Sequence, residues 1–414
     1  MHIGVVGLGY VGLPLAAALA AGGARVIGVD VDARRVEDVR AGRVALHDTT
    51  LDAASLRDVA ATLDYGALRE AEAVVICVPT PLTRNREPDL VPMLGATRSL
   101  AAVLQPGQLV VLESTTFPGT TREHIVPILE EGSGLRAGRD FHVAYSPERL
   151  DPGRGSHGLR TTPKLVAGLT DACRERAMAL YRTVCDEVVP VSSTDVAEFA
   201  KLLENIFRSV NIALVNELAV LADRMGVDIW EVVDAAATKP YGFMSFRPGP
   251  GMGGHCLPVD PFYLSWRARE FDVPCEFVEL AGKVNQRMPE HCAQRVQRAL
   301  NDRGMAVRGA HVLVLGVAYK PGIPDIRESP ALAIMRQLAE LGADLAYHDP
   351  HVPRLAAFGL ESRPLEEALA WADVAVIVTA HPEVDHGQVV EQSELVVDLR
   401  GITRDMPSAA VVRL

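Results

Sequence analysis

The chain has 414 residues, 48% of them hydrophobic and 23% charged, which excludes a disordered or collagen-like polymer and calls for two or three separate cores. A formal net charge of -12 argues against nucleic acid or an anionic membrane surface as the principal partner and points to a small molecule. The six cysteines, Cys77, Cys173, Cys185, Cys256, Cys275 and Cys292, show neither Cys-x-x-Cys spacing nor clustering with histidine. No metal site and no disulfide framework is therefore expected, and the expected setting is the reducing cytoplasm.

Residues 3–12 read as a short apolar strand that runs into Gly7-x-Gly9-x-x-Gly12, after which Leu13–Ala21 continue as a helix. That apolar run has no basic flank and lies between a glycine loop and a second strand, so it is not read as a signal peptide. No other run approaches the length of a membrane span. The second strand, Arg25–Asp30, ends in an acid 18 residues past Gly12. In a doubly wound fold this spacing sets a dinucleotide pyrophosphate on the helix N-terminus and the carboxylate on the adenosine ribose, and Asp30 would repel a 2'-phosphate, favouring NAD. Arg35, one helical turn on, could stack on adenine or serve as a solvated helix charge.

Ala73–Val78 and Leu109–Leu112 are continuous apolar strands that end in Pro79-Thr80-Pro81 and Glu113-Ser-Thr-Thr116. Strands buried on both faces of a parallel sheet have this character and bind ligands at their carboxyl ends. Thr80 and Thr115 thus point to the nicotinamide side, or satisfy their own turns. A further strand, Phe141–Tyr145, ends in Ser146-Pro-Glu148. From about Asp195 a helical pattern runs without proline to about Met225, with Phe199, Leu202, Leu203, Ile206, Val210, Leu214 and Leu218 on one side and Ser193 or Thr194 as N-cap. Lys201 and Asn205 share a face near its start. A solvated lysine is the ordinary alternative for Lys201. An amphipathic helix near Ile229–Ala237 follows, and a helical tract from Phe262 to about Arg303 is expected to break near Pro274 and Pro289.

Between these helices lies Gly249-Pro-Gly-Met-Gly-Gly-His-Cys-Leu-Pro-Val-Asp260, a thiol in a glycine-rich turn, with Asp260 placed as an orienting acid or base. A bare corner would use the same glycines. The segment from about Gly309 repeats the first in outline: a strand at 312–316, a strand ending in Asp349, and a strand over Ala372–Thr379. Its glycine fingerprint is replaced by a loop carrying Lys320 and Arg327, which suits a diphosphate held by side chains. A structural ion-pair loop with Asp325 and Glu328 is the competing reading. Arg327 is grouped with the residues expected to meet the cofactor, and Lys320 and Gly253 with those expected to meet the substrate.

The fold class is thus α/β, two Rossmann-like doubly wound domains joined by a long central helix and a helical dimerisation domain. The boundaries are 1–194, 195–303 and 304–414. A thiol beside a hydride acceptor suits capture of an aldehyde as a thiohemiacetal, oxidation to a thioester and hydrolysis, with Lys201 and Asn205 stabilising the oxyanion.

The chain resembles the UDP-glucose/GDP-mannose dehydrogenase family over some 400 residues in the order Gly7-x-Gly9-x-x-Gly12, Glu113-Ser-Thr-Thr-x-Pro-Gly-Thr, Ser146-Pro-Glu-Arg, Lys201-x-x-x-Asn205, Gly253-Gly-His-Cys256 and Lys320-Pro with Arg327-Glu-Ser-Pro. The resemblance implies an NAD-dependent enzyme with Cys256 as nucleophile, whose product polysaccharide biosynthesis or a secondary-metabolite route could use. It implies that Lys201 and Asn205 stabilise the oxyanion, that Thr115 and Asp260 arrange water and proton transfer, and that Glu148 assists thioester hydrolysis. It also places Arg247 on the substrate diphosphate, the UDP on the carboxyl-terminal domain, and a dimer on the central helix. Val259, where the UDP-glucose branch commonly has lysine before the aspartate, and His255 resemble the UDP-N-acetylhexosamine branch, as do Cys77–Asp89 and Val284–Pro289. Leu150 departs from that branch's frequent acid. UDP-N-acetylglucosamine is the expected substrate; UDP-glucose stays open. So do a two-electron hydroxyacid dehydrogenase and a nucleotide-sugar sensor without turnover.

Overall fold

The computed structural model describes residues 1–43, 51, 53–83, 85–149, 158–254, 259–406 and 408–414. They form two compact units, Met1–Asn205 with Phe262–Pro274, and Ile206–Pro261 with Cys275–Leu414.

The first unit is built on strands β1 (His2–Val6), β2 (Arg25–Val29), β3 (Val59–Thr62), β4 (Ala73–Ile76), β5 (Leu109–Leu112), β6 (His142–Tyr145), β7 (Lys164–Gly168) and β8 (Val188–Pro190). They lie in the order β3-β2-β1-β4-β5-β6-β7-β8. All neighbours are parallel except β6 and β7. Helices α1 (Gly12–Ala21), α2 (Ala33–Arg40), α3 (Val91–Ala101), α4 (Val126–Ser133) and α5 (Asp171–Tyr181) carry the chain between strands. Both sheet faces are covered, which is why the central strands are apolar throughout: Ile3, Val5, Val75 and Val111 pack into one core, Val74, Ile76, Val110 and Leu112 into the other. Order reverses between β1 and β4. The register pairs Val6 with Val29 and with Ile76, so Gly7, Asp30 and Cys77 emerge together at the carboxyl edge, where such folds bind dinucleotides.

Helix α6 (Thr194–Met225) begins in the first unit and ends in the second. The Ser193 hydroxyl accepts from the Val196 N–H at 3.3 Å, a cap of the expected kind. Its apolar residues do not form one stripe as expected. Leu202 and Ile206 are buried, whereas Phe199, Leu203, Phe207, Leu214, Leu218 and Leu221 are exposed, because the helix buries one face within the chain and leaves a second apolar face open. By length and composition alone α6 could cross a membrane, against the expectation that no run reaches that length. Its polar residues Glu198, Lys201, Ser209 and Asn216 are nevertheless buried within the fold.

The second unit contains α7 (Ile229–Ala237), while α8 (Asp260–Ala268) begins there and continues into the first unit. Helix α9 (Glu276–Asn301) follows. Pro289 was expected to interrupt that helix; it lies inside it instead, buried. A buried side-chain network ties α9 down next to the proline: Asn285 Nδ2 donates to the Ser209 carbonyl at 3.2 Å, and Asn285 Oδ1 accepts from Asn216 Nδ2 at 2.9 Å. Such anchoring offsets the one helical hydrogen bond that proline removes. Asn216 Oδ1 in turn accepts the Gly249 N–H at 2.9 Å, so α6, α9 and the start of the glycine-rich loop share one network.

Strands β9 (His311–Leu315), β10 (Asp344–His348), the short pair β11 (Arg354–Leu355) and β12 (Leu360–Glu361), β13 (Val374–Ile377), β14 (Val396–Asp398) and β15 (Val411–Arg413) complete the unit, with α10 (Pro330–Glu340), α11 (Leu365–Trp371) and α12 (His386–Gln392). The order β10-β9-β13-β14-β15 is parallel throughout. This is the second Rossmann-like sheet expected from the repeat.

Replacing Asn285 by alanine leaves the Asn216 amide without its buried partner and is expected to lower unfolding stability by about 1–3 kcal/mol, measured by urea denaturation; an unchanged midpoint would show that the network does not stabilise the fold.

Candidate active site

The glycine fingerprint makes room for a ligand by bringing backbone close to backbone. Gly7 has φ 93°, and a Cβ there would lie 2.7 Å from the Cys77 carbonyl oxygen. A Cβ on Gly12 would lie 1.8 Å from the Gly7 carbonyl, whereas one on Gly9 would meet nothing within 4 Å. Gly7 and Gly12 therefore close the turn, and Gly9 leaves open space at the start of α1, where N–H groups favour an anion. Asp30 is buried at the end of β2; its Oδ2 accepts the Leu8 N–H at 2.7 Å and Arg35 Nη1 at 3.1 Å, and its Oδ1 accepts the Asp32 N–H at 2.9 Å. Arg35, expected on adenine or in solvent, is thus ion-paired to Asp30 and half-exposed. Leu8, Leu13, Arg34 and Arg35 line the adjoining crevice. Clearance, N–H groups and carboxylate together fit NAD. Thr80, after β4, is buried, and Thr115, after β5, is half-buried.

Two strand-end loops are fastened to the first turns of α6. Glu198, wholly buried, accepts the Gly119 N–H at 2.7 Å, the Thr121 N–H at 2.9 Å and the Thr121 hydroxyl at 2.6 Å, which holds the Glu113–Thr121 loop that carries Thr115. Arg149, next to Glu148, pairs with Glu204 at 2.7 Å. Lys201 sits between these two anchors, one turn from Glu198 and one turn from Asn205. It is 7% exposed, a buried ammonium and not the solvated lysine of the alternative. Asn205 is half-buried.

A cluster that sequence reasoning missed lies behind Glu148. Glu113, whose side chain is fully enclosed, contacts Lys164 Nζ through Oε1 and accepts the Tyr181 hydroxyl through Oε2 at 2.6 Å. Lys164 Nζ also lies 3.6 Å from Glu148 Oε2. Burial pushes the Glu113 carboxyl up to about 7 even against the lysine. Glu113 was visible as part of its motif. Lys164 and Tyr181 carried no local signal, since only the pairing of β6 with β7 and the packing of α5 bring them in.

In the second unit the acid equivalent to Asp30 is fully occupied. Asp349 Oδ2 accepts the Val317 and Ala318 N–H groups at 2.7 and 3.0 Å and His381 Nε2 at 3.0 Å, while Oδ1 accepts the His351 and Val352 N–H groups at 2.9 and 3.0 Å. A carboxylate with five donors has no capacity left for ribose hydroxyls. His381 Nδ1 accepts the Gly322 N–H at 3.1 Å, which fixes Nε2 as the donor to Asp349 and ties down the loop of Lys320. Arg327 forms a two-pronged pair with Asp325, at 2.9 and 2.5 Å, the ion pair of the competing reading. It remains half-exposed.

The base of the glycine-rich loop packs on the same segment: a Cβ on Gly253 would lie 2.5 Å from Tyr319 Cβ, and the Gly254 N–H donates to the Arg327 carbonyl at 3.0 Å. Only glycine allows that approach. Arg247 pairs with Asp234, which also binds Arg404. Asp260 is 3% exposed at the start of α8. Cys256 and His255 lie outside the described residues, as do Leu150 and part of the Cys77–Asp89 segment. Gly7, Gly9, Gly12, Asp30, Arg35, Thr80, Thr115, Glu148, Lys201 and Asn205 belong to the first unit, and Arg247, Gly253, Asp260, Lys320 and Arg327 to the second.

Family models for the UDP-glucose/GDP-mannose dehydrogenases match the chain in three parts: the NAD binding domain at residues 1–185, the central domain at 195–287 and the UDP binding domain at 313–405. The chain is 39% identical to a UDP-N-acetyl-D-glucosamine 6-dehydrogenase of Pseudomonas aeruginosa over 85% of this chain and 83% of that protein. It is 35% identical to a UDP-N-acetyl-D-mannosamine dehydrogenase of Pyrococcus horikoshii over 100% and 98% of the two chains. The solved structure of a UDP-D-ManNAc dehydrogenase from Pyrococcus horikoshii superposes with a TM-score of 0.90 at 34% identity, covering 100% of this chain and 98% of that one.

Burial raises the Glu198 carboxyl from 4.5 to about 7, partly opposed by the hydrogen bonds from Thr121 and Gly119. A carboxyl raised by folding binds its proton more tightly in the native state, so stability falls as pH rises from about 4.5 to about 7. Glu198→Gln is expected to remove up to about 3 kcal/mol of that slope, read from denaturation midpoints across the window; an identical slope in the variant would exclude Glu198 as its source.

Proposed function

The chain belongs to the UDP-glucose/GDP-mannose dehydrogenase family and is an NAD-dependent UDP-sugar dehydrogenase, and from that premise we propose that it oxidises the C6 hydroxyl of a UDP-N-acetylhexosamine, UDP-N-acetylglucosamine first, to the uronic acid. The relatives reported above, which act on UDP-N-acetylglucosamine and UDP-N-acetylmannosamine, support an N-acetylated substrate over UDP-glucose. The observation that carries the chemistry is the buried Lys201 ammonium, fixed on α6 between two anchored strand-end loops.

Bound NAD supplies the hydride acceptor for each of two oxidations. In the first, the alcohol loses a hydride and a proton to become an aldehyde. The Cys256 thiolate adds to the aldehyde carbon, and the oxygen, now bearing the charge, is stabilised by Lys201 and Asn205. Loss of a second hydride from this charged thiohemiacetal re-forms the carbon–oxygen double bond and leaves a thioester. Water then breaks the carbon–sulfur bond, giving carboxylate and free thiol; Glu148, with Thr115 and Asp260, handles the proton from that water. Lys320 and Arg247 meet the diphosphate, Gly253 lets the sugar approach the loop, and Arg327 is proposed to face the cofactor once freed from Asp325. The working division is 1–194 for NAD, 195–303 for the central helical part and 304–414 for UDP. The enzyme acts in the cytoplasm, with no nucleic-acid or membrane partner.

The open apolar face of α6 supports a homodimer. Phe199, Leu203, Phe207, Leu214, Leu218 and Leu221 are each 44–57% exposed, spaced by three, four or seven residues, as a helix–helix seam requires.

Incubation with NAD and either UDP-N-acetylglucosamine, its epimers or UDP-glucose is expected to yield two NADH per acid formed, fastest with an N-acetylated sugar. One NADH per product would overturn the thioester route, and a preference for UDP-glucose would overturn the substrate. Cys256→Ser is expected to abolish turnover, and Lys201→Ala to cost about 10²–10³ in kcat, both by NADH absorbance. Replacing Leu214 and Leu218 together by glutamate is expected to turn dimers into monomers in analytical ultracentrifugation; a dimer that survives the change would place the interface elsewhere.

A further inference from the structure

A charged side chain is costly to enclose, yet Lys164 is 3% exposed at the first position of β7. Its Nζ contacts Glu113 Oε1 on one side and stands 3.6 Å from Glu148 Oε2 on the other. The Tyr181 hydroxyl takes the remaining Glu113 oxygen at 2.6 Å, and the ammonium lies 5.1 Å from the centre of the Tyr181 ring. Glu113 is fully enclosed, whereas the Glu148 side chain is 14% exposed. The ammonium therefore joins an inner carboxylate, locked by two partners, to an outer one at the carboxyl end of β6. Burial favours a neutral amine, but the two carboxylates hold Lys164 above its ordinary range, so it stays charged.

We propose that Lys164, anchored by Glu113 and Tyr181, is a positioning residue for Glu148, orienting its carboxylate and setting the charge beside it. This rests on the reading that Glu148 handles a proton in thioester hydrolysis. This carboxylate is faced by Lys164 on β7, Glu113 after β5, Cys77 after β4 and Cys185 after α5, while Tyr181 on α5 binds Glu113. Arg149 beside it is turned to Glu204 of α6, while its own N–H donates to Glu148 Oε1 at 2.7 Å. Burial pushes both thiols and the phenol up, so they remain neutral in the working range. Lys164 and Glu113 act on Glu148 in opposite directions.

Opposed signs give the test. Without Lys164, Glu148 faces Glu113 with no cation between them, and protonation of Glu148 becomes easier. The acid limb of the kcat–pH profile is then expected to move up by about one pH unit in Lys164→Met, roughly a tenfold loss on that limb. It is expected to move down in Glu113→Gln and to stay near the wild-type position in Lys164→Arg. Should Lys164→Met not fold, Glu113→Gln/Lys164→Met, which removes both buried charges, is compared with Glu113→Gln; its limb is expected to lie higher. A general packing defect would lower rates without moving the limbs apart. Glu148→Gln separates the two readings. If it keeps full activity, the role of Glu148 in hydrolysis fails. If it is impaired while the limbs of the Lys164 and Glu113 variants coincide with that of the wild type, Lys164 is structural only and the proposal is overturned.

Discussion

Glu198 is the contact on which the arrangement of the first unit depends. A fully buried carboxylate collects two backbone N–H groups and a hydroxyl from the Gly119–Thr121 turn, and through them a loop leaving a sheet is fixed to a helix that follows it by more than seventy residues in the chain. Leaving any of those donors unmet in the interior would cost more than each bond returns. The loop therefore has little freedom of its own. A second anchor, Arg149 to Glu204, fixes the neighbouring strand-end loop to the same helix. Lys201 lies between the two, so its position is set by the sheet on both sides as well as by α6. Groups that must meet a developing charge benefit from this kind of rigidity, because the polar environment does not have to reorganise during the reaction.

The two Rossmann-like sheets show how one topology serves two purposes. In each, the acid ending the second strand accepts backbone N–H from the loop after the first strand: Asp30 from Leu8, Asp349 from Val317 and Ala318. That is a structural duty common to both. They differ in what remains. Asp30 binds Leu8 and Arg35, which line a crevice, and nothing crowds Gly9, whereas His381 and the His351–Val352 turn consume Asp349. The second sheet cannot hold a dinucleotide in the same manner, and the loop at its edge, tied down by Gly322 and Tyr319, carries Lys320 and the Asp325-paired Arg327. Their character suits a nucleotide bound through its phosphates.

Much of this was legible in the chain. Continuous apolar strands, glycine spacing and strand-end acids specify a doubly wound sheet because each follows from local backbone and burial rules. The α6 stripe was less legible: a helix with apolar residues on two faces reads as one broad stripe until it is known which face the chain itself covers. Pro289 was read as a break for a similar reason. The loss of one helical hydrogen bond is a local fact, but the Asn216–Asn285 network that compensates it is contributed by a distant helix.

By itself the sequence determined that there are two Rossmann-like sheets, that Gly7 and Gly12 close a tight turn after the first strand with Asp30 ending the second, and that Lys201 and Asn205 share a helical face, since these depend on periodicity and on what glycine alone can adopt. Only the tertiary structure decided that Lys201 is buried, that Arg35 rests on Asp30, that Asp349 is spent within the fold, and that Lys164 stands between Glu113 and Glu148. Ion pairing and burial join residues far apart in the chain, and their energies arise from a low-dielectric interior that exists only once the sheet and helices have closed around them.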